Sequence, residues 1–197
     1  MAFTSVEDYI LRPATFDDAS ELKPLRTASV THFCAGHYST SAISAILASA
    51  RDGRYDDLIS KGTYFVLTTP DSPARIVASA GWTPHRTVYS DKPGESATIA
   101  VHEPFDPSTD AAWIRGMYVH PDYARRGLAA RLVKECETDA RRAGFVRVHL
   151  SATTNAVQLY ESCGYVKMKE GDGVEMVGLP NGEMMASVMM KKNIEER

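Results

Sequence analysis

Apolar positions along this chain recur at two different spacings, which alternate from one end to the other. A period of two indicates a half-buried strand, and a period near 3.6 indicates an amphipathic helix. In the first half these spacings predict a strand at residues 9–12, helices at about 17–32 and 40–50, and strands at 64–68 and 75–82. The first helix is expected to be capped by Asp17 or Asp18 and interrupted near Pro24.

The second half continues the alternation. It predicts strands at residues 113–119, 146–150, 165–169 and 184–190, and helices at about 127–143 and 155–163. The longer helix carries an apolar stripe made of Leu128, Leu132, Val133, Cys136 and Ala140. Strands that alternate with helices in this way predict a single mixed α/β domain over residues 1–197.

Two stretches lack a clear period. Residues 83–111 contain four prolines and Gly94, so they form either a long hairpin extension or an active-site loop. Residues 171–178 are rich in glycine, but their spacing is wrong for dinucleotide binding and no helix follows them. We therefore predict a hairpin between the last two strands.

Composition narrows the classes of partner and compartment. With 44% hydrophobic and 24% charged residues and a net charge of −3, the chain gives no electrostatic basis for binding nucleic acid or an anionic membrane. The first ten residues include acidic side chains, which predicts no signal peptide, and no segment has the apolar length of a membrane span. A cytoplasmic location is expected.

The three cysteines, Cys34, Cys136 and Cys163, are odd in number and lack C-x-x-C spacing. We therefore expect neither a disulfide framework nor a metal site. Cys136 and Cys163 lie on apolar helix faces, where packing is their expected role.

The segment IRGMYVHPDYARRGLAARL, residues 114–132, places a strand, a turn, a basic loop and a helix in direct succession. The start of a helix presents unpaired N–H groups and partial positive charge. Arg125, Arg126 and Gly127 lie beside those donors, and two arginines at a helix start are unfavourable unless an anion is bound. The segment predicts a site for phosphate or pyrophosphate; the alternative is a surface helix with a basic first turn.

This segment resembles the acetyl-CoA-binding motif of the GNAT superfamily of N-acetyltransferases. The matching residues are Val119, Pro121, Gly127 and Ala129, whereas Ala124 replaces the Arg or Gln that the family most often has. The resemblance implies that acetyl-CoA is the co-substrate. Its pyrophosphate would contact Arg125, Arg126, Gly127, Leu128 and Ala129.

A second motif lies in ATTNAVQLYESCGY, residues 152–165. Asn155 and Gln158 have capping-box spacing, which is a structural explanation for Asn155. The resemblance to the GNAT family extends to Asn155, Tyr160, Gly164 and Tyr165. It implies that Asn155 contacts the pantetheine arm and that Tyr160 is the general acid that protonates the leaving thiolate. The alternative for Tyr160 is an ordinary half-buried core tyrosine.

The resemblance covers residues 113–168 and implies a single-domain GNAT-like fold. That fold has a central mixed, mostly antiparallel sheet of six to seven strands, flanked by about four helices. It also implies a bulge in the strand before the anion loop. The backbone of Met117, Tyr118 and Val119 would then hold the pantetheine amides and polarise the thioester carbonyl.

The general base is open. The strand 113–119 contains no Glu, and the candidates are Glu103, His85 and His120, or a water relay. Arg115 either binds an acidic group of the acceptor or pairs structurally with Asp106 or Asp110. The acceptor pocket is expected to include Phe33, His37, Tyr38 and Tyr89.

These observations favour an acetyl-CoA-dependent N-acetyltransferase. It would act on a primary amine of a small molecule or peptide by direct transfer in a ternary complex. The rival is a non-catalytic acyl-CoA-binding module of the same fold. A nucleic-acid-modifying acetyltransferase is disfavoured by the acidic balance. The identity of the acceptor and a homodimeric state are left open by the sequence.

Overall fold

A computed structural model describes residues 5–48, 53–84, 106–168 and 173–194. Its helices are α1 (Ala19–Phe33), α2 (Thr40–Ala48), α3 (Gly53–Ser60), α4 (Leu128–Arg142) and α5 (Val157–Ser162). Its strands are β1 (Ile10–Pro13), β2 (Tyr64–Thr68), β3 (Ile76–Thr83), β4 (Ala112–Val119), β5 (Arg147–Thr153), β6 (Val166–Lys167), β7 (Val174–Gly178) and β8 (Met184–Asn193).

The strands form one sheet in the order β1-β2-β3-β4-β5-β8-β6, with β7 also paired to β8. Only β4 and β5 pair in parallel; the other pairs are antiparallel. The mixed, mostly antiparallel sheet is therefore confirmed. The described chain contains eight strands and five helices, which is slightly more than predicted. The added elements are β7, inside the predicted hairpin, and α3, whose Gly53 and aspartates are weak helix formers.

Helices cover both faces of this sheet, so alternate residues of β2 pack in two different cores. Phe65 and Leu67 pack in the core that contains the predicted stripe of α4. Tyr64 and Val66 point the other way, into a second core with α1 and α3. The second core includes Leu22, Leu25, Leu58, Ile59 and Ile76.

The predicted interruption at Pro24 is wrong, because α1 runs through it without a break. Pro24 is exposed, so the carbonyl of Ser20 that loses its helical partner faces water. The same helix buries Leu22, Leu25 and Val30, and this packing offsets the loss of one hydrogen bond. Within the described residues, no helix has the length and apolarity needed to cross a membrane.

Candidate functional site

The sheet opens between β4 and β5. These two strands pair only at Ala112 with Val148 and at Trp113 with His149, and beyond those residues they are no longer paired. A cavity of about 1060 Å³ is lined by the unpaired parts of both strands. The start of α4, the segment around α5, and residues of α1 and α3 complete its wall.

A β-bulge lies in the part of β4 that lines this cavity. Ser79 of β3 is opposite Tyr118 and Gly81 is opposite Arg115, so two residues of β4, Gly116 and Met117, lie opposite the single residue Ala80 of β3. Gly116 lies within the bulge at φ +60°, a backbone conformation that residues with a Cβ atom rarely adopt. Gly116 lines the cavity, and so do Met117, Tyr118 and Val119, the three positions that the resemblance implied.

The loop before α4 brings backbone donors to the same cavity. Arg125 and Gly127 both have positive φ, +61° and +81°, and both line the cavity with Leu128 and Ala129. The first intrahelical bond from Arg131 N–H goes to the Gly127 carbonyl. The N–H groups of residues 128–130 therefore have no helical acceptor and are available to an anion.

The two arginines of this loop have different roles. Arg126 donates to the Tyr9 hydroxyl at 2.9 Å and to the Asp122 carbonyl at 3.1 Å, and its guanidinium lies 5.2 Å from the Tyr123 ring centre. It does not line the cavity. Arg125 is exposed and lines the cavity, and it makes no hydrogen bond or ion pair within the described chain. Arg125 is therefore the side chain placed to meet an anion.

Asn155 does not cap a helix. The residue at the N-terminus of α5 is Ala156, and Asn155 lies in the preceding 3-10 turn, so the predicted capping box is wrong. The Oδ1 atom of Asn155 is buried without a hydrogen-bond partner in the described structure, and Asn155 lines the cavity. Such an atom is costly unless a ligand donates to it. This supports a ligand-binding role for Asn155.

Tyr38 holds the turn that carries Asn155. Its hydroxyl donates to the Ala186 carbonyl at 2.8 Å and accepts from the Thr154 N–H at 2.8 Å. The turn is thereby fixed to β8 and to the loop after α1. Tyr38 itself does not line the cavity, and neither does His37, whereas Phe33 does. Of the four residues expected in the acceptor pocket, Tyr89 lies outside the described residues.

Tyr160 lines the cavity from α5 and is 5% exposed. Its ring packs edge-on against Tyr165, with ring centres 5.8 Å apart. Burial raises the pKa of the Tyr160 phenol, with smaller contributions from Cys136, Cys163 and Tyr118. The hydroxyl therefore stays protonated at neutral pH and can act as a proton donor.

Of the three side chains considered as general base, the structure describes only His120. His85 and Glu103 lie outside the described residues. His120 does not line the cavity, and its Nδ1 accepts from the Asp122 N–H at 3.3 Å, which closes the turn before the anion loop. This geometry gives His120 a structural role.

Arg115 lines the cavity and lies over the Trp113 ring, 5.6 Å from its centre. The two carboxylates proposed as its partners, Asp106 and Asp110, accept hydrogen bonds within their own turn. Asp110 accepts from the Asp106 N–H at 2.8 Å, and Asp106 accepts from the Ser108 hydroxyl at 2.7 Å. The pairing of Arg115 stays a prediction.

Residue-type patterns did not reveal several residues of the cavity wall, including Ser29, Tyr55 and Leu58. The Val119 N–H donates to Ser29 Oγ at 3.3 Å, so α1 reaches the bulged strand directly. The sequence patterns also missed Tyr64, whose hydroxyl donates a hydrogen bond to the Gly116 carbonyl within the bulge. The available signal was a pair of mid-strand glycines, Gly81 and Gly116, since such glycines indicate a close approach by another group.

Three solved structures share this fold at low sequence identity. A GCN5-related N-acetyltransferase from Rhodopseudomonas palustris is 23% identical, with a TM-score of 0.68 and 98% of each chain covered. The PaiA N-acetyltransferase from Thermoplasma acidophilum, in complex with coenzyme A, is 15% identical, with a TM-score of 0.64 over 94% of this chain and 98% of that one. A phosphinothricin acetyltransferase from Sinorhizobium meliloti, in complex with acetyl-CoA, is 15% identical, with a TM-score of 0.61 over 94% and 88%.

The family model of the acetyltransferase (GNAT) family matches residues 52–165. This match covers more than half of the chain and includes the bulge, the anion loop and the segment from Asn155 to Tyr165. The chain therefore belongs to the GNAT family of acetyltransferases.

Proposed function

We propose that this protein is an acetyl-CoA-dependent N-acetyltransferase that transfers the acetyl group directly to a primary amine of a small molecule or peptide. The proposal rests on one observation: the opening between β4 and β5 brings the anion loop, Asn155, the bulge and Tyr160 into a single cavity. Solved structures with the same fold that hold coenzyme A or acetyl-CoA support the choice of co-substrate.

The residues present fit acetyl-CoA. The free N–H groups at the start of α4 and the Arg125 guanidinium suit a pyrophosphate. The buried Oδ1 of Asn155 needs a donor, which an amide N–H of the pantetheine arm supplies. Met117 and Val119 present backbone from the bulged strand beside this arm.

Acetyl-CoA supplies an acetyl thioester when bound. The amine nitrogen forms a bond to the acetyl carbon, the carbon–sulfur bond breaks, and the nitrogen releases one proton to water. N–H groups of the bulge polarise the acetyl carbonyl, and Tyr160 donates its proton to the departing sulfur and regains one from water. The raised pKa keeps the Tyr160 phenol protonated throughout the neutral range.

Direct transfer is favoured over an acyl-enzyme because the thiol that lines the cavity is a poor nucleophile. Cys34 lines the cavity, but burial raises the pKa of its thiol above the ordinary value. The thiolate, which is the reactive form, is therefore depleted at neutral pH. We expect Cys34→Ser to keep turnover with a ternary-complex kinetic pattern.

The first experiment combines calorimetric titration with acetyl-CoA and a screen of amines for release of free CoA. We expect binding by the wild type, and turnover with at least one primary amine. Tyr160→Phe should retain binding and lose about a hundredfold in kcat, whereas the matched variant Tyr165→Phe should keep kcat. The Tyr165 hydroxyl lies beside Glu137 rather than in the cavity.

Each failure has its own meaning. No binding of acetyl-CoA by the folded wild type contradicts the co-substrate. Binding without turnover over a broad amine panel favours the rival, a non-catalytic acyl-CoA-binding module. Equal kcat for Tyr160→Phe and the wild type removes Tyr160 as the acid while leaving the transferase in place.

A further inference from the structure

A buried tyrosine reaches across three strands of the sheet to the bulge. Tyr64 of β2 is fully buried, and its hydroxyl lies 3.0 Å from the Gly116 carbonyl and 3.0 Å from Ser79 Oγ. Since a carbonyl only accepts, the phenol proton goes to Gly116 and Ser79 donates to the phenol oxygen. Tyr64 thus links β2, β3 and β4 at the bulge.

Two glycines make this crossing feasible. A Cβ on Gly81, which pairs with Tyr64 across β2 and β3, would lie 2.4 Å from Cδ2 of the Tyr64 ring. A Cβ on Gly116 would lie 2.9 Å from Cε2 of the same ring and 3.0 Å from its hydroxyl. The ring therefore occupies space that only glycine at both positions leaves open.

The hydrogen bond to Gly116 fixes the peptide unit between Gly116 and Met117. The one cis peptide bond in the described chain is between Ser72 and Pro73, so this unit is trans and points its carbonyl and its N–H in opposite directions. With the carbonyl held by Tyr64, the Met117 N–H points away from Tyr64. Met117 lines the cavity.

We propose that Tyr64 is a positioning residue for acetyl transfer: its hydroxyl holds the Gly116 carbonyl so that the Met117 N–H faces the acetyl carbonyl of the co-substrate. Tyr64 touches neither reactant, since it does not line the cavity. It acts through the orientation of one backbone donor. This inference rests on the proposed function for its kinetic consequence, but its structural part does not.

The direct test is Tyr64→Phe, which removes the hydroxyl and keeps the ring between the two glycines. A misdirected carbonyl-polarising donor should lower kcat about ten- to hundredfold. The dissociation constant of acetyl-CoA should change by less than about threefold, because the anion loop and Asn155 are untouched. Tyr165→Phe, another buried tyrosine that loses its hydroxyl, is the control and should keep both quantities.

Amide hydrogen exchange in the free protein gives a readout that needs no substrate. In Tyr64→Phe, the resonances of Gly116 and Met117 should shift and their exchange rates should change, while those of residues 128–130 at the start of α4 should not. Ser79→Ala supplies a milder variant, because it removes the hydroxyl that donates to the Tyr64 phenol oxygen and so loosens the hold of the phenol on the Gly116 carbonyl. Its kcat should fall about two- to fivefold, with an unchanged dissociation constant.

The outcomes separate this inference from the proposed function. If wild type turns over and Tyr64→Phe matches its kcat, the positioning role is wrong and the transferase stands. If wild type shows no turnover, the exchange data alone decide: unchanged Gly116 and Met117 amides in Tyr64→Phe overturn the inference. Should Tyr64→Phe not fold, an unchanged kcat in Ser79→Ala overturns it.

Discussion

Adjacent arginines in the anion loop differ more than their sequence suggests. The local pattern put Arg125 and Arg126 together at the phosphate site because both precede the same helix start. In the structure, Arg126 donates a hydrogen bond to the hydroxyl of Tyr9, which lies more than a hundred positions away in the sequence. No local periodicity reveals such a contact, so spacing located the loop but not the direction of each side chain.

We predict that Arg125→Ala lowers affinity for acetyl-CoA about tenfold, roughly 1.4 kcal/mol, with little change in stability. Arg126→Ala should instead lower the free energy of unfolding by about 1 kcal/mol, because it removes the bonds to Tyr9 and Asp122, with a smaller effect on affinity. Calorimetry and urea denaturation measure the two quantities. The reverse pattern would contradict the assignment of roles.

At the scale of elements, a buried carboxylate joins β1 to the start of α1. The Asp18 carboxylate accepts hydrogen bonds from the two terminal nitrogens of the Arg12 guanidinium, at 2.7 and 2.8 Å. It also accepts one from the Thr15 N–H at 2.8 Å. The sequence predicted Asp17 or Asp18 as a helix cap. The structure has Asp18 at that position, but its carboxylate bonds Arg12 and the preceding turn instead of capping the helix.

The Arg12 guanidinium lowers the pKa of the Asp18 carboxyl below its ordinary value. A lowered pKa in the folded state stabilises the fold above the unfolded pKa of about 3.9, and this stabilisation is lost as the pH falls through the folded value. Asp18→Asn should therefore cost about 1–2 kcal/mol at pH 7 and progressively less below about pH 4.

Urea denaturation at neutral and acidic pH measures this difference. The exposed neighbour gives a matched control, Asp17→Asn, which should change stability little at either pH. An Asp18→Asn cost that stays constant down to about pH 2 would show that the lost interaction is not the ionised one.

Periodicity recovered most elements because their apolar faces are regular. The stripe of α4 and the strands β2, β3 and β4 lie close to the predicted positions. It missed α3, where packing of Leu58 and Ile59 overrides weak helix propensity. It ended β5 early, since the polar residues Ser151 and Thr153 conceal a strand that alternates between buried and half-buried positions. The splay between β4 and β5, which forms the site, depends on long-range pairing and has no local signature.

At the scale of the whole molecule, four tyrosines pack in the two cores, and two of them, Tyr55 and Tyr160, also line the cavity. Burial raises the pKa of four tyrosines: Tyr55, Tyr64, Tyr160 and Tyr165. Raised values mean that the folded state favours the protonated phenol. Their stabilising effect is complete below the unfolded pKa of about 10 and is lost as the pH rises above it.

Stability should therefore be nearly constant from about pH 7 to 9 and fall steeply above about pH 10. Thermal melting across this range, followed together with tyrosinate absorbance, tests the expectation. Absorbance from these four phenols should appear only as the protein unfolds. Ionisation of all nine tyrosines in a folded chain contradicts it.

The Tyr64 ring occupies the space that a side chain at Gly81 would need. This has an evolutionary consequence. Substitution at either position alone creates a collision or a void, so the two positions are constrained to change together. Gly116 belongs to the same set. In homologous chains, a residue larger than glycine at position 81 should therefore occur with a smaller residue at position 64. Lineages that lose this tyrosine should hold the Gly116 carbonyl by a different group.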